Sequence, residues 1–211
     1  MNALELFAGS RSFGKVAENY GYNVISTDIN DFEDIDIVGD ILKLPLNTFT
    51  DLNPRVIWAS PPCTYFSVAS IGHHWHEDNT PKTKEAILGV EIVTKTLEII
   101  KACKPKYFFI ENPRGKLRSL PILKHIPRAT VWYCRYGDKR AKPTDIWSNH
   151  IANLFNPEGW QPRPECFNGN TKCHHEPAPR GSKTGTQGLS DNYTRSIIPE
   201  ELIKEIVIST I

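Results

Sequence analysis

One thiol and one carboxylate in this sequence have the surroundings that covalent catalysis needs. Cys63 lies in Ala59-Ser60-Pro61-Pro62-Cys63-Thr64-Tyr65-Phe66-Ser67, just past the apolar run Val56-Ile57-Trp58-Ala59, which reads as a buried strand. The two prolines fix φ and restrict the residues before them, so the loop is stiff and the thiol is aimed. Glu111-Asn112-Pro113 ends a second buried run, Tyr107-Phe108-Phe109-Ile110. A carboxylate at one strand end beside a cysteine at the next is an acid–base partner for a nucleophilic thiolate. A lone cysteine is more often a buried structural thiol. The order of the other motifs around Cys63 favours chemistry.

Those motifs start with a turn. Ala3-Leu4-Glu5-Leu6-Phe7 is a short apolar strand, and Ala8-Gly9-Ser10-Arg11-Ser12-Phe13-Gly14 turns into a helix running to about Tyr20 and closed by Gly21. A glycine-rich strand-to-helix turn lets a ligand approach the backbone and the helix N–H groups. Asn23 to Thr27 is the second strand, and it ends in Asp28, 19 residues after Gly9. An acid at that distance holds ribose hydroxyls in nucleoside-binding α/β folds; a turn aspartate is the plainer alternative. Ile35 to Val38 reads as a third strand leading to Gly39-Asp40-Ile41, where Asp40 could accept a hydrogen bond from an adenine amine or simply make a turn.

The remaining elements frame these sites. Leu88, Ile92, Val93, Leu97 and Ile100 repeat at helical spacing, so an amphipathic helix is expected from about Lys82 to Cys103. Thr130 to Cys134 and Thr144 to Ser148 read as a strand pair, and Pro199 to Ile208 as a closing helix with Leu202, Ile203, Ile206 and Val207 on its apolar face. Between Cys63 and the helix, Ile71-Gly72-His73-His74-Trp75-His76 reads as a mobile loop with solvated imidazoles rather than a metal site, and such a loop could close over a substrate. Arg114, Lys116 and Arg118 could touch phosphate or be solvated surface charges.

The bulk composition limits the alternatives. The 211 residues are 39% hydrophobic and 23% charged with a net charge of +1, which suits a globular protein whose basic surface is local. No basic, apolar leader opens the sequence and no apolar run reaches membrane-spanning length, so no membrane partner is expected. Five scattered cysteines, an odd number, fit a reducing cytoplasm with thiols used for chemistry or metal.

From about Asn149 the composition turns to proline, glycine and asparagine, the mark of a loop-rich insert. It carries Cys166 and Cys173-His174-His175. Such a segment needs a staple, and zinc on Cys166, Cys173 and His175 with Cys134 as the fourth ligand would supply one; unligated thiols are the alternative. Arg180 to Gln187, including Lys183, is basic and hydroxyl-rich, as a phosphate-contacting loop would be.

Taken together, Leu6-Phe7-Ala8-Gly9, Asp28, Gly39-Asp40-Ile41, Pro62-Cys63-Thr64-Tyr65-Phe66-Ser67 and Glu111-Asn112-Pro113 resemble, in order and spacing, the motifs of the DNA cytosine-5 methyltransferases, in particular their small orphan or phage-borne members. The resemblance covers about residues 3 to 124. It implies an α/β fold of the class I S-adenosylmethionine-dependent methyltransferase type, Rossmann-like, with a mostly parallel seven-stranded sheet. The catalytic domain would span 1–148, a small target-recognition-like insert 149–192, and a closing helix 193–211. It further implies that Cys63 attacks C6 of a cytosine flipped out of duplex DNA, that Glu111 holds the N3 and amino edge, and that Arg140 touches the base or its phosphate. Phe7, Gly9, Pro62 and Ser196 would contact S-adenosylmethionine, Asp28 its ribose, Ile29 its adenine face and Asp40 its adenine amine. Ser67, Arg114, Arg180 and Lys183 would face DNA, and the loop from Ser67 to Asn79 would close behind the base.

The sequence departs from that pattern in three places. Pro113 stands where the family has valine, Arg140 and Lys142 give only Arg-x-Lys where it has Gln-x-Arg-x-Arg, and Arg195-Ser196-Ile197 is the nearest match to a closing Gly-Asn-Ser. The small insert also leaves open the same chemistry on RNA, a free nucleotide or a modified pyrimidine, or a catalytically inactive DNA-binding relative. A monomer in the cytoplasm of a bacterial cell or phage-infected host, with an accessory protein supplying specificity, is the expected setting.

Overall fold

The computed structural model describes residues 1–177 and 192–211. Its strands are β1 (Asn2–Leu6), β2 (Asn23–Asp28), β3 (Ile37–Val38), β4 (Val56–Ala59), β5 (Tyr107–Pro113), β6 (Arg128–Trp132) and β7 (Pro143–Ser148). They form one seven-stranded sheet in the order β3-β2-β1-β4-β5-β7-β6. The first five in that order run parallel, and β7 lies antiparallel between β5 and β6. This is the expected mostly parallel sheet, with the expected β6–β7 hairpin at one edge. From β1 the chain goes outward to β2 and β3, then returns to the other side of β1 as β4. That reversal opens a crevice at the carboxyl ends of β1 and β4, where ligands of open α/β sheets bind.

The helices are α1 (Ser12–Asn19), α2 (Asn47–Thr50), α3 (Ile71–His74), α4 (Lys84–Cys103), α5 (Asn192–Ser196) and α6 (Glu200–Ser209). Side chains alternate across a strand, so β1 sends Ala3 and Glu5 to one face and Leu4 and Leu6 to the other. On the first face Phe13 and Val16 of α1 and Leu202, Ile203 and Ile206 of α6 pack with Ala3, Val56 and Trp58. On the second, Phe49 of α2 and Val93 and Ile99 of α4 pack with Leu4, Leu6, Ile57 and Ile110.

The structure revises several local expectations. The third strand is only Ile37–Val38, and Tyr133 and Cys134 leave β6 for a 3-10 turn, Tyr133–Tyr136. α4 begins at Lys84 behind an N-cap, Thr83, whose hydroxyl accepts from the Ala86 N–H at 3.2 Å. Its buried face is Ala86, Gly89, Val93, Thr96, Ile99 and Ile100, while Leu88 is exposed. Small residues face inward because Tyr65 and Phe66 press against that helix; a Cβ on Gly89 would come within 2.9 Å of the Tyr65 ring. The stretch after Cys63 is also anchored. Trp75 is buried, stacks on Phe66 at 5.8 Å and donates its indole N–H to Tyr65 O at 2.7 Å, while His74 Nδ1 lies 2.7 Å from the Thr83 hydroxyl. The insert shares the core as well: Ile151 and Trp160 are buried in the cluster under α6. Among the described residues no helix is long and apolar enough to cross a membrane.

Candidate active site

β4 and β5 are neighbours, so their ends set two loops side by side. Asn112 on β5 donates its side-chain N–H to Pro61 O at 2.8 Å, which fixes the loop that carries Cys63. Phe66 N–H then closes a turn onto Cys63 O at 3.0 Å. After β5, Lys116 N–H donates to Phe66 O at 2.7 Å. Gly115 makes that approach feasible, because a Cβ there would lie 2.2 Å from Phe66 O. Cys63 is half-buried. Burial pushes its thiol up, the Lys142 ammonium draws it back down, and the Glu111 carboxylate adds to the rise.

Glu111 is 5% exposed. Tyr133, fully buried, donates its O–H to Glu111 Oε1 at 2.9 Å, and the Ser60 hydroxyl also bonds this carboxyl. Ser60 in turn accepts from the Trp58 indole N–H at 2.9 Å. Burial raises the Glu111 pKa; Lys142 and the two hydroxyls oppose the rise without cancelling it. A carboxyl held up in this way can keep a proton for a ring nitrogen and then share it.

Lys142 is the cation of this group. Its Nζ lies 4.6 Å from the centre of the Tyr133 ring and donates to Arg195 O at 2.9 Å. Its φ of 24° falls in the left-handed region, a strained position for a lysine, and such strain gathers at functional sites. Burial lowers the Lys142 pKa, and Glu111 and Cys63 both raise it, so the three groups titrate in one another's field. Arg140 is placed differently. Its guanidinium grips the Asp138 carboxylate and donates to Thr194 O at 3.4 Å, Arg195 O at 3.3 Å and Ile197 O at 3.0 Å. It hooks the C-terminal segment onto the site.

The residues expected to hold the cofactor start at the ends of β1 and β2. Phe7 and Gly9 take φ of 59° and 49°, which turns the chain sharply out of β1. Gly9 N–H donates to Asp28 Oδ2 at 3.0 Å, and Asn30 N–H to Asp28 Oδ1 at 2.9 Å, so the aspartate is held at the turn. Ile29 is 65% exposed beside it. Asp40 accepts from Leu42 N–H at 3.1 Å. Ser196 closes the far side, its hydroxyl 3.9 Å from where a Cβ on Gly9 would stand. Pro62 is exposed on the Cys63 loop. Below the turn, Glu5 Oε1 and Oε2 accept the N–H groups of Phe13 and Gly14, each at 3.0 Å, at the N-terminus of α1. Burial lifts the Glu5 pKa to about 7 against those two bonds.

Of the residues expected to face DNA, Ser67 hydrogen-bonds the Ser70 hydroxyl at 3.0 Å, and Arg114 lies over the Trp132 ring at 5.3 Å. Arg180 and Lys183 lie outside the described residues. Arg118 is occupied, its Nε and Nη2 donating to the fully buried Asp145 at 2.9 and 2.5 Å. Lys116 is buried over Trp75 at 5.8 Å. Sequence reasoning gave no role to Tyr133, Ser60 or Lys142. The signal for Lys142 was its two-residue spacing from Arg140 at the entry to β7; nothing local marked Tyr133, which reads as one more apolar strand residue.

A sheet of this order, with a nucleoside-type turn after β1 and reactive groups after β4 and β5, defines an S-adenosylmethionine-dependent methyltransferase fold. A solved methyltransferase of Entamoeba histolytica, EhMeth, superposes with a TM-score of 0.54 at 14% identity, covering 100% of this chain and 95% of its own. A DNMT2 variant of Spodoptera frugiperda superposes at 0.50 with 18% identity, over 84% of this chain and 57% of its own. Residues 1–120 match the family of C-5 cytosine-specific DNA methylases. A Frog virus 3 (isolate Goorha) protein described as "Probable DNA (cytosine-5)-methyltransferase" is 32% identical over 158 residues, 71% of each chain. The chain therefore belongs to the C-5 cytosine-specific DNA methylases. It spans little more than half the length of the insect protein.

Proposed function

We propose that the protein transfers a methyl group to C5 of cytosine in duplex DNA through a covalent bond between Cys63 and C6 of a flipped-out base. The observation that carries this reading is the meeting of Cys63, Glu111 and Lys142 in one electrostatic group at the ends of β4 and β5, next to the Gly9–Asp28 turn. C5 of cytosine is a poor nucleophile. Addition of the Cys63 thiolate forms an S–C6 bond and moves the C5–C6 π electrons onto C5 as an enamine. Lys142 favours the thiolate before attack, against the cost of burial. Glu111, its pKa raised, gives a proton to N3 as negative charge develops on the ring. S-adenosylmethionine supplies an electrophilic methyl carbon on a sulfonium. After C5 has taken the methyl, loss of the C5 proton to solvent, return of the N3 proton to Glu111 and cleavage of the S–C6 bond give 5-methylcytosine and the free thiolate.

The residues present fit that cofactor. Phe7, Gly9 and Ser196 leave a glycine-floored space, Asp28 offers its carboxylate to a ribose, Ile29 an apolar face to adenine and Asp40 an acceptor to its amine. Pro62, exposed on the Cys63 loop, would border it. Arg140 is a positioning residue in this reading, because it holds the segment carrying Ser196 by its main chain. Flipping costs a few kcal/mol of stacking and pairing, which contacts to the extruded base must help to offset.

The test is transfer of label from S-adenosylmethionine to unmethylated duplex DNA, RNA and dCMP, by the wild type and by Cys63→Ala. Label in DNA as 5-methylcytosine, from the wild type only, supports the reading. DNA carrying 5-fluorocytosine should trap a covalent complex, since fluorine cannot leave as the proton does. Label confined to RNA or dCMP would overturn the substrate, and transfer by Cys63→Ala would overturn the covalent route.

A further inference from the structure

Away from the reacting groups, three of the five cysteines converge with a histidine. Cys134 leaves the 3-10 turn after β6, and Cys166, Cys173 and His175 come from the insert. One ligand atom from each lies within 4.8 Å of all the others. Four ligands around zinc at about 2.3 Å for sulfur and 2.0 Å for nitrogen stand nearly 4 Å apart, so small side-chain adjustments would close the set. We propose that Cys134, Cys166, Cys173 and His175 bind one zinc ion, and that the ion clamps the insert onto the loop carrying Arg140 and Lys142.

Three observations support the site. The thiols are free rather than paired, and they cluster from segments far apart in the chain. Cys166 Sγ lies 3.8 Å from His175 Nδ1, and the Asn170 side-chain N–H donates to Cys166 Sγ at 3.4 Å, the kind of outer bond that steadies a metal-bound thiolate. Residues 161–177 contain no helix or strand and bury little beside the Cys134–Trp132 cluster; Arg163 ties their start to Tyr136 and Glu205, and a tetrahedral ion would order the stretch from Cys166 to His175. A closed set of three sulfurs and one imidazole selects zinc among the common divalent ions and leaves no open position for a reaction.

The clamp follows from what lies against the tetrad. Cys134 is the residue after Tyr133, the donor to Glu111. From the other side, His174 Nε2 lies 3.2 Å from Asp138 O, and Glu176 N–H donates to Lys139 O at 2.9 Å. Asp138 grips Arg140, and Lys142 is two residues on. A metal joining Cys134 to 166–175 therefore fixes both flanks of residues 135–142, and with them the cation facing Cys63.

The experiment is metal analysis of the full chain purified from zinc-supplemented cells, with cobalt exchange and hydrogen exchange on the same protein. About one zinc per chain is expected, with tetrahedral thiolate absorption when cobalt replaces it. Cys166→Ser and Cys173→Ser should lose the metal, and Cys103→Ser should keep it. On chelation, exchange should rise in residues 133–142 while α4 stays protected. Wild-type protein that binds S-adenosylmethionine yet takes up neither zinc nor cobalt would overturn the site, whether or not the serine variants fold. Metal retained without Cys166 and Cys173 would overturn the ligand set, and unchanged exchange at 133–142 would overturn the clamp. The metal measurements do not depend on which substrate is methylated.

Discussion

Tyr133→Phe isolates the contribution of a single buried hydrogen bond to catalysis. The substitution removes the O–H that donates to Glu111 at 2.9 Å and keeps the ring that packs in the core and lies under Lys142. Both partners are buried, Tyr133 fully and Glu111 to 5% exposure, so no water replaces the lost donor. A hydrogen bond to a charged group is worth about 1.5–3 kcal/mol, and each 1.36 kcal/mol is a factor of ten in rate. If that bond orients Glu111 toward N3, single-turnover methyl transfer should fall roughly 10- to 100-fold. The pH profile gives the sign. Donation from Tyr133 stabilises the carboxylate and so opposes the rise of the Glu111 pKa caused by burial. Without it the carboxyl keeps its proton to higher pH, so the limb on which activity is lost through Glu111 ionisation should move upward. Cofactor binding should not change, because the ring that lies under Lys142, which in turn bonds Arg195 O beside Ser196, is kept. A variant with wild-type rate and an unmoved profile would refute the assignment of Glu111 as proton donor with Tyr133 as its orienter.

Lys142→Met removes the first charge that draws the Cys63 thiol down, so iodoacetamide should alkylate Cys63 more slowly at neutral pH and the alkylation profile should shift to higher pH; an unshifted profile would contradict the coupling. Gly115→Ala places a Cβ 2.2 Å from Phe66 O and must displace the Cys63 loop, at a cost of about 1–3 kcal/mol; denaturant titration together with methyl transfer should show both losses, and wild-type values for the two would count against the close approach. Glu5 should make stability fall with rising pH. Its folded pKa is raised from 4.5 to about 7, so its contribution is complete below 4.5 and lost as pH passes 7; at 1.36 kcal/mol per pH unit the interval is worth about 3 kcal/mol. Melting curves of wild type and Glu5→Gln should diverge across that window and run parallel outside it, and curves parallel throughout would exclude Glu5 as the source.

The central strands were legible because β4 and the first part of β5 are apolar runs, as strands buried on both faces are, running on to a proline and an acid, and β2 ends in an aspartate. The positions of Cys63, Glu111 and Asp28 followed from those ends. What stayed hidden depends on contacts between distant segments. Tyr133 reads as a β6 residue, and only the turn that takes it out of the strand brings its hydroxyl to Glu111, 22 residues away in sequence. Arg118 has the look of a phosphate ligand, yet a buried aspartate on β7 holds it. On α4, Val93 and Ile100 of the expected stripe are buried and Leu97 packs against the core, but Leu88 is exposed, because Tyr65 and Phe66 leave room only for Gly89 opposite them. Cys134, Cys166, Cys173 and His175 were expected to group on residue type, with unligated thiols as the alternative; the structure brings one ligand atom of each within 4.8 Å of the others and leaves Cys103 outside the group.

Arg140 and Lys142 fasten the 194–197 segment through the carbonyls of Thr194, Arg195 and Ile197. Every residue has a carbonyl. These bonds are therefore blind to which side chains stand at the three positions, so those side chains can be rewritten while the segment stays in register. The burden of inheritance falls instead on the two cations. The letters around Ser196 can therefore change while the segment stays fastened, so long as Arg140 and Lys142 persist.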